Sequence, residues 1–147
     1  MNRERLQNAW EALLEEGLNN YHNLERNKRI WYNLEPLTTD GLMDHYLNEG
    51  AIRNADVIQD LEYLGFQDLA NMVRKFNGLF PENTPPADLK ARNLHMTEWN
   101  EQQEAIADDI ESHFWDRSAE LEAKLLNHIA KTGIAAIKIY KEEEANE

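Results

Sequence analysis

The chain has 147 residues, no cysteine, and 28 acidic against 15 basic side chains, for a net charge of −13. That length suits one domain with a sizeable core, and the missing thiols exclude a disulfide framework, a thiolate metal site and a cysteine nucleophile. The charge argues against nucleic acid or an anionic membrane as a direct partner and favours a basic one, while the lack of an N-terminal apolar run leads us to expect a cytoplasmic protein with neither signal peptide nor membrane span.

Residues 3–16 have helical periodicity, with Leu6, Ala9, Trp10, Leu13 and Leu14 on one side and Gly17 where a left-handed C-terminal residue is expected. A second helix is expected over residues 18–34, ended by Pro36, with Arg26, Lys28 and Arg29 as the main basic patch. Thr38 or Thr39 then caps a short helix over residues 42–48, stopped by Gly50, and Asn54 caps another that Gly65 stops. Leu69, Met72, Val73 and Phe76 mark a helix over residues 68–77, followed by the one clear loop, which contains Gly78 and Pro81. One or two turns are expected over residues 87–94.

The most informative stretch is residues 97–116, TEWNEQQEAIADDIESHFWD. Thr97 is a fair N-cap, and Trp99, Ile106, Ile110, His113 and Phe114 recur at helical spacing, so one face belongs to the core. Along another face run Glu98, Glu101, Glu104, Asp108 and Glu111, whose spacing stacks them on one side of the helix. From Arg92 to Arg117 there are seven acids and no Lys or Arg. Like charges at these intervals repel, and helix stability alone does not favour such a row. Asp40, Asp44, Asp56 and Asp60 form a candidate second row in the other acid-rich block, residues 30–73. The first row offers about one charge per 5 Å of helix axis, against one phosphate per roughly 3.4 Å in a DNA strand, so a neighbouring second row would bring the density close.

Ser118 is expected to start a further helix with Leu121, Leu125 and Ile129 inward, which Gly133 ends. Residues 134–140 fit a helix or a strand, and residues 142–147 an acidic, frayed tail. The whole reads as all-α: one irregular bundle of about seven helices over residues 1–141.

Catalytic and metal signatures are missing. There is no HExxH, paired ExxH, calcium loop, phosphate-cradling glycine loop or GxSxG elbow, so neither an enzyme nor a metal or cofactor site is expected. Adjacent Asp108 and Asp109 point about 100° apart and do not suit a shared-proton pair. His113 fits a core or boundary histidine, and His95 shares a turn with Glu98 only if the helix starts early. Trp10, Trp31, Trp99 and Trp115 read as core or dimer contacts rather than a ligand cage. The plain alternative for the acidity is solubility.

The segment DGLMDHYLNEG, with Gly41, Leu42, Tyr46, Leu47, Asn48 and Gly50, resembles a motif of the DMP-nineteen-like family of bacterial DNA-mimic proteins. The LEYLG at residues 61–65, an aromatic at Phe76 or Phe80, and the later DDIESHFW extend the resemblance over residues 34–133, with Asp40 and His45 departing from the family's glycine and glutamine. The resemblance implies an all-α homodimer. For the family's named member it implies an acidic surface that imitates duplex DNA phosphates and occupies a transcription factor. Because the matched residues are caps and core, they carry the fold further than the function. The functional expectation therefore rests on Glu98, Glu101, Glu104, Asp108 and Glu111, with Asp40, Asp44, Asp56 and Asp60, as a surface for a basic DNA-binding protein. The alternative is an immunity or antitoxin protein masking a basic toxin surface.

Overall fold

The computed structural model describes residues 3–135, and among them there are six α-helices and no strand. The helices are α1 (Arg3–Asn20), α2 (Arg26–Leu47), α3 (Asn54–Tyr63), α4 (Gln67–Asn77), α5 (Leu89–Thr97) and α6 (Glu101–Thr132), with 3-10 turns at Tyr21–Asn23, Glu49–Arg53 and Pro81–Asn83. The expected all-α architecture holds, and counting the two halves of α2 separately gives the expected seven helices. One continuous core runs from Leu6 to Ala135. The tail assignments beyond Ala135 lie outside the described residues.

The two long helices, α2 and α6, form the spine, and α1, α4 and α5 pack against them while α3 pairs with α4. In α6, a single helix of 32 residues, the buried residues Ala107, Ile110, Phe114, Leu121, Leu125 and Ile129 lie along one face. Ser118 therefore starts no new helix. Its hydroxyl folds back to the Trp115 carbonyl at 2.9 Å, the mid-helix habit of serine. Thr97 is likewise no N-cap, because α5 runs through it. The cap of α6 is Asn100, which exchanges bonds with Gln103 in a full capping box.

Two further expectations fail near α1 and α2. Gly17 lies inside α1 rather than beyond its end, since an added Cβ would fall 2.2 Å from the Tyr32 ring. It is a point of close approach between α1 and α2, not a cap. Pro36 does not end α2. It sits on the exposed side of the helix, where a missing N–H removes only the bond to the Tyr32 carbonyl, while Leu34 and Leu37 beside it are fully buried and hold the turn together.

The break in α2 comes five residues later. Gly41 adopts φ 86° and ψ 179°, a conformation open essentially to glycine alone. The hydroxyls of Thr38 and Thr39 donate back to carbonyls one turn earlier, with Thr38 Oγ1 to Glu35 O at 2.8 Å. Beyond the break, residues 42–47 form less than two turns of helix that bury Leu42, His45 and Tyr46. Tyr46 stacks on Phe76 at 4.1 Å between centroids and donates its hydroxyl to Val73 O and Asn77 Oδ1. Asn54, expected to cap α3, instead accepts from His45 Nε2 at 2.6 Å and donates to Asn77 Oδ1, completing a buried polar chain beneath the short helix.

Gly41→Ala is expected to lose roughly 3 kcal/mol or more in urea unfolding, because the new Cβ meets both a forbidden backbone region and the Trp115 ring 2.7 Å away. Gly65→Ala, at φ +91° but with nothing within 4 Å, isolates the backbone term and is expected to lose only about 1–2 kcal/mol.

Candidate functional site

The acidic residues expected to act together divide into displayed and internal groups. On α6, Glu101, Glu104 and Asp108 are exposed on one side, and no Lys or Arg interrupts the helix from Glu101 to Asp116. Three carboxylates thus lie along roughly 10 Å of helix axis. Glu98 is exposed but belongs to a different element. It terminates α5, with its N–H bonded to Leu94 O at 3.1 Å, and shares a shallow cleft with His95 and Trp99.

Glu111 is not free. Its carboxylate accepts from the backbone N–H groups of Leu42 at 2.8 Å and of Met43 at 3.1 Å, so it caps the helix that restarts after Gly41. The negative group meets the positive end of the helix dipole, which is why no threonine is needed there. The opposite end is held by Arg92, only 1 % exposed, whose guanidinium donates to Tyr46 O at 2.7 Å, to Pro86 O at 2.9 Å and to Asn48 O. Burial pushes the Arg92 group down from its ordinary pKa, while nearby Glu49 and Asp88 work in the opposite direction. A carboxylate from α6 and a guanidinium from α5 therefore grip one short helix at its two ends.

The second expected row does not form. Asp60 is fully buried and bonds to Arg29 Nη2 at 2.6 Å and to Asn33 Nδ2 at 3.0 Å. Burial raises its carboxyl above the usual range, and the Arg29 hydrogen bond opposes that rise. Asp56 accepts from the Tyr21 hydroxyl at 2.7 Å and faces Arg29 at 3.8 Å, and burial pushes that phenol up to about 12. These two aspartates tie α3 to α2 and to the turn after α1; Asp60 is wholly internal, contrary to the sequence reading, while Asp56 keeps its side chain 36 % exposed. Helical spacing placed them on one face, but that face is the one α3 turns toward α2.

Asp40 and Asp44 do reach the surface, and they share a cleft of about 350 Å³ with Glu49 and Arg53. Asp44 also accepts from Asn48 Nδ2 at 3.0 Å. Sequence reasoning missed Glu49, which the 3-10 turn swings beside the two aspartates, and missed the clamp at Arg92, which gave no local signal. His113, expected at the core boundary, is exposed, with Nδ1 2.7 Å from the Asp109 carbonyl. Trp31 is buried against half-buried Trp10 at 5.6 Å, whereas Trp115 is 43 % exposed beside Gly41.

On the other side of the short helix lies a groove of about 540 Å³ between residues 42–47, α5 and the start of α6. Met43, Leu47, Met96, Trp99 and Ala107 supply its apolar walls, and Glu104 and Asp108 stand on its α6 side. The short helix thus separates the two displayed acidic groups: Asp40, Asp44 and Glu49 on one flank, Glu104 and Asp108 across the groove on the other. Among the described residues no cluster of three or more His, Asp or Glu is placed to hold a metal ion, and no helix is long and apolar enough to cross a membrane.

Removing the cap should be felt in stability while removing a displayed carboxylate should not. Glu111→Ala is expected to lose about 2 kcal/mol in thermal or urea unfolding, and Asp108→Ala to stay within about 0.5 kcal/mol of the parent. The short helix also carries an acid sensitivity, because burial lowers the His45 pKa to about 4. Its neutral form is the folded one, so its contribution is complete above the unfolded value near 6.5 and is lost as pH falls toward 4. The loss is on the order of 3 kcal/mol, visible as a falling Tm over that window that His45→Gln flattens.

A family model described as DMP19-like protein matches residues 22–132, most of the chain. No curated protein and no solved structure matches it.

Proposed function

The chain belongs to the DMP19-like protein family, and from that membership we propose that it is a DNA mimic: a non-enzymatic, bacterial cytoplasmic protein whose acidic face occupies the DNA-contacting surface of a basic protein such as a transcription factor. The observation that carries this reading is the stripe of Glu101, Glu104 and Asp108, exposed, in line and uninterrupted by bases. Its spacing is about one charge per 5 Å, sparser than the roughly 3.4 Å of a single DNA strand. The Asp40, Asp44 and Glu49 group across the short helix adds a second line of negative potential, as two phosphate strands flank a groove. Asp60 and Glu111 take no part, since their carboxylates are engaged inside the fold, and Asp56, though 36 % exposed, is committed to Tyr21 and Arg29. In this reading the protein works as a homodimer, which doubles the acidic surface offered to a two-fold DNA-binding protein. Light scattering at micromolar concentration tests that assembly, and a monomer mass would remove it.

Association with the partner is steered by charge, so it slows as salt is added and the Debye length contracts below about 8 Å. Replacing Glu101 and Glu104 with Gln and Asp108 with Asn leaves the Tm unchanged and weakens partner binding by on the order of tenfold or more, measured on a basic DNA-binding protein captured from host lysate. Excess duplex DNA displaces the protein from that partner. A captured basic protein that DNA fails to displace, or an affinity that the triple substitution leaves unchanged, overturns the mimic assignment. The first of these outcomes favours instead the immunity reading, with a masked toxin surface.

A further inference from the structure

Duplex DNA presents phosphates but no apolar cleft, and the groove beside Glu104 and Asp108 is therefore surplus to charge mimicry. Its geometry is fixed in advance. Arg92 bonds α5 to the end of the short helix and Glu111 bonds α6 to its start, so all three walls are tied together before anything docks. Leu47 on one wall is 41 % exposed and continues the apolar lining made by Met43, Met96 and Trp99.

We propose that this groove receives a basic amphipathic helix of the partner, with apolar side chains seated between Leu47 and Met96 and Lys or Arg side chains on Glu104 and Asp108. The inference rests on the DNA-mimic reading for the partner's basic character and names what the surface holds beyond charge. Charge complementarity sets the sign of the occupant. Glu104 and Asp108 stand one helical turn apart, about 6 Å along the axis, the same interval as bases at i and i+4 on a partner helix. A helix is favoured over an extended segment because the walls are themselves helices, with no strand edge to pair an extended backbone, whereas a helix satisfies its own N–H and C=O groups. Because apolar burial is not screened, this contact persists at salt concentrations that abolish the steering.

The test uses the full-length protein labelled at its methionine methyl groups. The probe is a synthetic basic helix of about 16 residues, roughly four turns, with Leu on one face and Lys and Arg beside it, and the control is an isomer of the same composition with the leucines dispersed around the helix. At about 0.5 M salt, where the Debye length is near 4 Å, the amphipathic peptide is expected to bind about tenfold tighter than the isomer. It should shift the methyl signals of Met43 and Met96, which line the groove, and leave that of Met72 on α4 in place. Leu47→Ser, at an exposed position, should abolish the preference with an unchanged Tm. Equal binding of the two peptides overturns the proposal, as do unmoved Met43 and Met96 signals. So does a dimer that Leu47→Ser converts to monomer, which would give the groove to a second copy of this chain. Unmoved signals in a protein that DNA still displaces from its partner sink the groove alone, whereas shifted signals in a protein that DNA cannot displace sink the mimic reading alone.

Discussion

The structure depends on how the chain restarts a helix after Gly41. A helix of less than two turns has too few internal hydrogen bonds to offset the cost of its nucleus, so residues 42–47 hold their shape only through what grips them. Glu111 satisfies the first free N–H groups with a negative charge and Arg92 satisfies the last carbonyls with a positive one, each matching the local sign of the helix dipole. Leu42 and Tyr46 supply the burial between them. Because one grip comes from α6 and the other from α5, fixing this helix also fixes the relation of the spine to the acidic start of α6. The groove and both displayed acidic groups are arranged about it.

A net charge of −13 says little by itself about which acids face a partner. Asp60, Asp56 and Glu111 are committed to internal bonds: the first two knit Arg29, Asn33 and Tyr21 into a network that sets α3 against α2, and the third is a cap. Arg117 neutralises Asp68 at 2.7 Å and so joins α6 to α4. The acids displayed on the first turns of α6 have no base in line, whereas those around the 3-10 turn after α2 share their cleft with Arg53. The electrostatic face is thus narrower than the sequence total suggests, and it coincides with the region that the Gly41 break shapes.

Signals confined to a few residues were legible in the sequence. The caps at Gly65 and Gly133, the inward face of α4 and the apolar stripe of α6 are local and appear where expected. The failures share one cause, tertiary context overriding a local rule. Gly17 looks like a helix end but makes room for Tyr32, Pro36 looks like a stop but sits on the exposed side of a helix held by buried neighbours, and Ser118 looks like a start inside a continuous helix. At the site, Glu101, Glu104 and Asp108 could be read because one helix carries them all. The engagement of Asp60 by Arg29, 31 residues away, and of Glu111 by Leu42, 69 residues away, has no trace in spacing.

That last separation bears on the order in which the molecule is made. The segment after Gly41 leaves the ribosome well before the side chains that secure its ends, Arg92 lying 46 residues beyond the Tyr46 carbonyl it binds and Glu111 coming later still. Until then the segment has no more than the transient helicity of an isolated peptide. The groove beside the short helix is consequently among the last parts of the nascent chain to take shape, and a chain interrupted before α6 does not present it.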